Sequence, residues 1–277
     1  MTVANVSGPG DGEYWDDVVS RWQPTVAHRL WRAHSDAVNV ELLRRWLPTG
    51  SGRLLKTDLF DEAVASGLYP ELALRADEVV GIDVSSLTVQ SAARQHPGLV
   101  ALVGSVLAIP CPDASFDTVV SNSTLDHFER RTMLRAAVVE LARVMRPGGQ
   151  LIITLDNRVN PYIGARTSPL LASLHRRLGI VPYFVGVTCG ARGLWELLRD
   201  SGFEVRDVTA IMHCPPQLAA VLADRTWAER FDPDTEQRHV RQVLRWETME
   251  HWPTRHLTGH FVAARAVRLT QPPQTPP

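Results

Sequence analysis

Between positions 53 and 128 short apolar runs alternate with stretches of helical spacing. Leu54-Leu55, Val79-Val80-Gly81-Ile82, Leu99 to Val103 and Phe116 to Asn122 predict four strands. Residues 61–67 predict a short helix with Gly67 as its C-cap, and residues 85–96 a second, capped by Ser85 or Ser86 and stopped by Pro97-Gly98. Residues 130–145 follow as an amphipathic helix with Leu134, Val138, Leu141 and Met145 on one face; Arg146-Pro147-Gly148-Gly149 turns it into a fifth strand over 150–155. Such β/α alternation implies a parallel sheet, and in open parallel sheets ligands sit outside the carboxyl ends of the strands. The loops at 56–62, 83–86, 104–106 and 121–127 therefore converge on one crevice.

Ahead of the sheet, Trp15, Val18, Val19 and Trp22, then Leu30, Trp31, Val38, Leu42, Leu43 and Trp46, recur at helical spacing around a break at Pro24. Two helices over 14–47 are predicted, and residues 1–50 form a helical lid. Trp31, His34 and Asp36 can face a substrate from above the crevice; a lid packed on the sheet helices accounts for the same pattern. After the fifth strand the pattern breaks over 156–190, apart from one brief helix at 170–178. A long irregular insert at that place is expected to cover a site. A helix at 191–201, a strand at 203–211, a Trp-rich helical stretch at 216–252 and a last strand at 257–267 complete the chain. The main unit thus spans 51–269 with inserts at 157–190 and 215–252, and the Pro- and Gln-rich tail over 270–277 is expected to be disordered.

A chain of 277 residues with 44% hydrophobic content buries a full core. A net charge of −1 gives no reason to expect nucleic acid or an acidic membrane as partner. No apolar run reaches membrane-spanning length and no leader pattern opens the chain, so a cytoplasmic protein is expected. Cys111, Cys189 and Cys214 are scattered without metal spacing and read as free thiols. Of the 29 basic residues only Lys56 is lysine, an Arg bias typical of a GC-rich genome. That one lysine sits in the central turn, within Lys-Thr-Asp-Leu-Phe-Asp-Glu-Ala at 56–63.

Four blocks carry a resemblance: Val80-Gly81-Ile82-Asp83-Val84-Ser85; Gly104 with Ile109-Pro110-Cys111-Pro112-Asp113-Ala114-Ser115-Phe116-Asp117; Ser121-Asn122-Ser123-Thr124-Leu125-Asp126-His127-Phe128; and Leu141-Ala142-Arg143-Val144-Met145-Arg146-Pro147-Gly148-Gly149. In order and spacing they resemble the class I S-adenosylmethionine-dependent methyltransferases of type 11. The resemblance implies a Rossmann-like α/β fold, a mostly parallel seven-stranded sheet with helices on both faces, whose last strand is antiparallel. It implies S-adenosylmethionine as cofactor, with Asp83 on the ribose hydroxyls and Asp58, Val84, Ser105, Val106 and Asn122 around the rest. Two departures stand out: Lys56 takes the place of the family's first acid, with no glycine from Thr57 to Glu62, and Ser105 replaces the acid after the third strand.

Three readings of the 56–63 turn follow. It is a variant cofactor loop, with Asp58 accepting from the cofactor's ammonium and Lys56 meeting its carboxylate; or a remodelled pocket in which Lys56 holds an anionic substrate; or Lys56 pairs with Asp58 or Asp61 and only keeps the turn in shape. For methyl transfer, His127 is the candidate base, with Lys56 as a second polar catalyst, His34 and His213 as weaker bases, and Asp126 as an orienting group. Trp31, His34, Tyr162 and Tyr183 are candidate acceptor contacts, with Phe184, Trp227, Trp246 and Trp252 as further aromatics; His239, Arg241, Arg245 and Arg255 are a candidate anion patch. No metal site is expected. The function so implied is methylation of a small molecule at oxygen, in bacterial specialised metabolism. The alternatives are a cyclase, isomerase or lyase on the same scaffold, or a catalytically silent binding subunit.

Overall fold

The computed structural model describes residues 12–22, 25–167, 186–215 and 233–270. Within them β1 (Arg53–Thr57), β2 (Glu78–Asp83), β3 (Val100–Val103), β4 (Phe116–Asn122), β5 (Met145–Asp156), β6 (Phe203–Ile211) and β7 (Phe261–Arg268) form one sheet in the order β3-β2-β1-β4-β5-β7-β6. The first five strands run parallel, and β7 lies antiparallel between β5 and β6. Because side chains alternate along a strand, Leu54 joins Val79, Val120 and Ile152 on one face while Leu55 joins Val80, Val119 and Leu151 on the other. Both faces are covered, which is why these strands read as continuous apolar runs.

One face is covered by α6 (Arg131–Val144) through Leu134, Val138 and Leu141, and by α8 (Ala191–Asp200) through Leu194 and Leu198. The other carries α2 (Val26–Trp46), α3 (Phe60–Val64), α4 (Tyr69–Ala73) and α5 (Ser86–Gln95). Ser85 caps α5 by accepting from the Thr88 amide at 3.0 Å. Outside these layers α1 (Gly12–Ser20) touches α5, and α9 (Pro233–Leu244) packs on α2. Strand order reverses between β1 and β4, so the loops leaving those strands part there and open a crevice.

Three boundaries differ from the sequence pattern. The helix expected over 61–67 ends at Val64, and α4 follows as a separate turn beginning Tyr69-Pro70. β5 starts early, because Met145 pairs with Phe116, but the ladder resumes only at Thr118 and Gln150, and the expected turn over Arg146 to Gly149 is kept as a bulge with Gly148 at φ of 81°. The last strand begins only at Phe261: Arg255–Thr258 is the short helix α10, and Gly259 follows where an added Cβ would lie 2.6 Å from Ala210. The helix expected at 170–178, the residues Tyr183, Phe184 and Trp227, and the tail from 271 lie outside the described residues.

Candidate active site

The turn after β1 does without glycine by putting Asp58 in the left-handed region, with φ of 66°. Aspartate tolerates this when its side chain bonds locally, and here Oδ1 accepts from the Phe60 amide at 2.8 Å. The Asp58 amide in turn donates to the Ile82 carbonyl at 2.9 Å, fixing the turn against β2. Lys56 points inward, with 3% of its side chain exposed and Nζ 2.8 Å from Glu62 Oε2; it also donates to the Asp58 carbonyl. Glu62 Oε1 accepts from the Leu68 amide at 2.8 Å, and a Cβ on Gly67 would sit 2.5 Å from that oxygen. Burial works against the lysine's charge, but Glu62 and Asp58 outweigh it and hold the Lys56 pKa above its ordinary value.

Lys56 is therefore a brace inside the turn. It lies outside the lining of the crevice, which corrects both its expected catalytic role and its expected contact with a carboxylate. Its partner is Glu62, while Asp61 pairs with Arg32 of α2.

Above the strand ends lies a cavity of about 380 Å³, within the range of roughly 300–1,000 Å³ for small-molecule sites. Asp58, Asp83, Val84, Ser105, Val106 and Asn122 all line it. Asp83 is held by two backbone amides, Leu59 N–H to Oδ2 at 2.9 Å and Ser85 N–H to Oδ1 at 2.8 Å. Each oxygen keeps a second lone pair for a ligand hydroxyl. Burial, then the neighbouring Asp58 charge, pushes the Asp83 pKa up to about 7; burial also raises that of Asp58. Two partly buried carboxylates at one wall favour a cationic ligand.

At the end of β4, Asp126 is anchored through one oxygen: Oδ2 accepts from Ser123 Oγ and from the Asp156 amide, both at 2.9 Å, while Oδ1 meets no hydrogen-bond partner. His127 lines the cavity, with Nε2 3.8 Å from Asp126 Oδ1 and its ring 5.1 Å from that of Trp15. Beyond β4 the wall changes character, to Trp31 of α2, Asp156 at the end of β5, Tyr162 and Arg166 of α7 (Pro161–Arg166), and His260-Phe261 at the start of β7. Asp156 and Arg166 form a buried ion pair.

The helices ahead of the sheet roof this cavity. Asp16 of α1 accepts from Ser85 Oγ at 2.5 Å, Ser86 Oγ at 3.2 Å and the Leu87 amide at 3.2 Å, pinning α1 to the start of α5. Arg32 lies 5.0 Å over the Trp22 ring and 4.6 Å over Phe60, tying α2 to the β1 turn.

Several expected contacts fall elsewhere. His34 is 0% exposed, absent from the cavity wall, and its Nδ1 and Nε2 meet no hydrogen-bond partner. His213 is tied to Thr258 and the Ala210 carbonyl. His239 is buried, so it joins no exposed patch with Arg241, Arg245 and Arg255, while Trp246 packs on Cys214 and Val243 and Trp252 is exposed. The sequence pattern missed Arg32, Asp156, Arg166 and His260. Only the position of Asp156 and His260 at the ends of neighbouring antiparallel strands, on the crevice edge, offered a signal. Among the described residues no group of His, Cys, Asp and Glu is placed to hold a metal, and no helix is long and apolar enough to cross a membrane.

Comparison with known proteins agrees with this geometry. Residues 61–153 match the model of a methyltransferase domain. A protein of Mycolicibacterium smegmatis named as an S-adenosylmethionine-dependent methyltransferase is 30% identical over 62% of this chain and 66% of its own length. A protein of Encephalitozoon cuniculi named as a methyltransferase is 30% identical over 69% of this chain and 93% of its own. Among solved structures, the [4+2]-cyclase SpnF superposes with a TM-score of 0.55 at 22% identity, over 84% of this chain and 80% of that one. The chain belongs to the class I S-adenosylmethionine-dependent methyltransferases, and S-adenosylmethionine is its cofactor. The site fits that group: Asp83 keeps lone pairs for ribose hydroxyls, Asp58 faces the cavity with a carboxylate, and the left-handed turn leaves the space open.

Proposed function

We propose that this protein methylates a small molecule at oxygen, in bacterial specialised metabolism. The observation that carries the reading is one cavity with two unlike halves. Acidic and backbone-rich loops of β1 to β3 lie on one side of β4, and an aromatic wall from α2, α7 and β7 on the other. The first half holds the cofactor through Asp83 and Asp58, with Val84 and Val106 against its flat base and Ser105 and Asn122 as polar neighbours. The cofactor supplies a methyl on a sulfonium, whose transfer is an in-line displacement, so the protein's task is alignment and removal of a proton. His127, at the boundary between the halves, is placed to take that proton. Trp31 and Tyr162 flank the acceptor, and the roof of α1 and α2 excludes water.

The likeness to SpnF speaks for the fold alone at its level of identity, and the acids facing the cavity favour a cationic cofactor over an anionic substrate. The test is turnover with methyl-labelled S-adenosylmethionine and a panel of hydroxylated aromatics. Label should appear in an ether, and His127→Ala should lower the rate by roughly 10²-fold with cofactor affinity nearly unchanged. Label found only in amines or carbon-methylated products would remove the oxygen assignment, and equal loss of rate and affinity would make His127 structural.

A further inference from the structure

His260 brings an open hydrogen-bond acceptor to the acceptor half of the cavity. Its ring is 4% exposed and lines the cavity, its Nδ1 meets no hydrogen-bond partner, and its Nε2 lies 3.6 Å from Asp156 Oδ1. The backbone on either side is pinned: His260 N–H donates to the Met212 carbonyl at 3.1 Å, and its carbonyl accepts from Asn157 N–H at 2.8 Å. With the backbone so fixed and Phe261 and Trp31 packed around it, the buried ring has little room to seek another partner. A buried polar atom left unpaired is costly and is rare in folded proteins away from ligand sites.

The surroundings specify what Nδ1 would meet. A carboxylate beside Nε2 favours the tautomer with its proton there, which leaves Nδ1 as an acceptor. Burial, then the Arg166 charge, lowers the His260 pKa to about 3, so the ring is neutral at any working pH. Asp156 and Arg166 cancel each other's charge. Three aromatic rings surround the imidazole, with centroids at 4.7 Å for Phe261, 5.1 Å for Trp31 and 6.2 Å for Tyr162. Such a corner is apolar on its faces and presents the Nδ1 lone pair at its centre.

We propose that His260 Nδ1 accepts a hydrogen bond from a hydroxyl of the acceptor, and that the acceptor is a neutral, planar aromatic alcohol. A carboxylate offers no proton to Nδ1, an ammonium finds the carboxylate beside the ring, Asp156, already paired with Arg166, and an ether leaves the nitrogen unpaired. The proposal deepens the methyl-transfer reading and rests on it.

The test uses saturation-transfer NMR on the full chain with S-adenosylhomocysteine present, its binding confirmed first by calorimetry. Phenol, anisole, benzoate and benzylamine serve as probes of similar size. Phenol should bind roughly tenfold more tightly than the other three, as expected for one buried hydrogen bond. His260→Phe should remove that preference while leaving S-adenosylhomocysteine affinity unchanged, and His260→Asn, which keeps a hydrogen-bonding amide, should restore part of it. Anisole, benzoate or benzylamine binding as well as phenol, no phenol binding, or a preference that survives in His260→Phe would each overturn the proposal. Should His260→Phe not fold, the wild-type order of the four probes decides alone. Failure of S-adenosylhomocysteine to bind is a separate result, and it strikes the methyl-transfer reading.

Discussion

Lys56 shows how a residue conspicuous in sequence acquires its role from a partner. As the chain's single lysine in a crevice turn it suggested chemistry, yet its ammonium is spent on Glu62 and the Asp58 carbonyl. Lys56→Met should therefore destabilise the protein by about 3–5 kcal/mol, the usual cost of leaving a buried partner charge unpaired, and Lys56→Met with Glu62→Gln, which removes the stranded charge and keeps an acceptor for the Leu68 amide, should recover much of it. Urea unfolding checks both; a single variant as stable as wild type would mean the pair contributes nothing. The place of Asp83 in the cavity wall was legible, because an acid closing a short strand before a serine-capped helix lies at the carboxyl edge of the sheet. What sequence did not reveal is its burial, which makes a pH prediction. Its folded pKa, about 7 against an ordinary 3.8, is raised, so its contribution to stability is full below 3.8 and lost as pH rises through 7. Without cofactor, Asp83→Asn, which loses one of the two backbone bonds at every pH, should be less stable than wild type near pH 4, gain on it across that window, and keep a constant offset above it. Thermal melts across this range test the sign.

At the scale of elements, the strands and the long helices followed from periodicity, since each is buried in a regular way. Short elements did not. The α3–α4 pair depends on Glu62 reaching the Leu68 amide and on Gly67 making room for it, relations that no local pattern encodes. The roof was predicted as helical, with packing on the sheet helices as one reading, and the attachment runs through Asp16 to Ser85, Ser86 and Leu87, which no periodicity encodes. Asp16→Ala should reduce hydrogen-exchange protection over residues 12–20 by roughly tenfold, from loss of charge-assisted bonds, while protection of β1 and β4 stays unchanged. Uniform loss across the sheet would show that α1 is part of the global fold and not a separately hinged cover. Between α2 and α9 the buried His34 has its pKa lowered to about 4, by burial first and then by His239 and His260. A depressed folded pKa means stability present above 6.5 and lost as pH falls toward 4; His34→Gln should flatten that slope in pH-dependent melts.

For the molecule as a whole, the sheet order places cofactor loops and aromatic wall on opposite sides of one topological switch. The family was readable because four blocks keep their spacing along contiguous strands and loops. The acceptor half was not, since Trp31, Asp156, Tyr162 and His260 come from four elements that only the folded sheet brings together. The central claim is that a glycine-free turn, braced by Lys56 and Glu62 and bent at Asp58, still holds S-adenosylmethionine. Calorimetric titration of the purified protein with S-adenosylmethionine, and separately with S-adenosylhomocysteine, tests this directly. The account predicts saturable binding of both at about micromolar Kd, near −8 kcal/mol, weakened at least tenfold by Asp83→Ala. No heat and no thermal shift at millimolar ligand would contradict it.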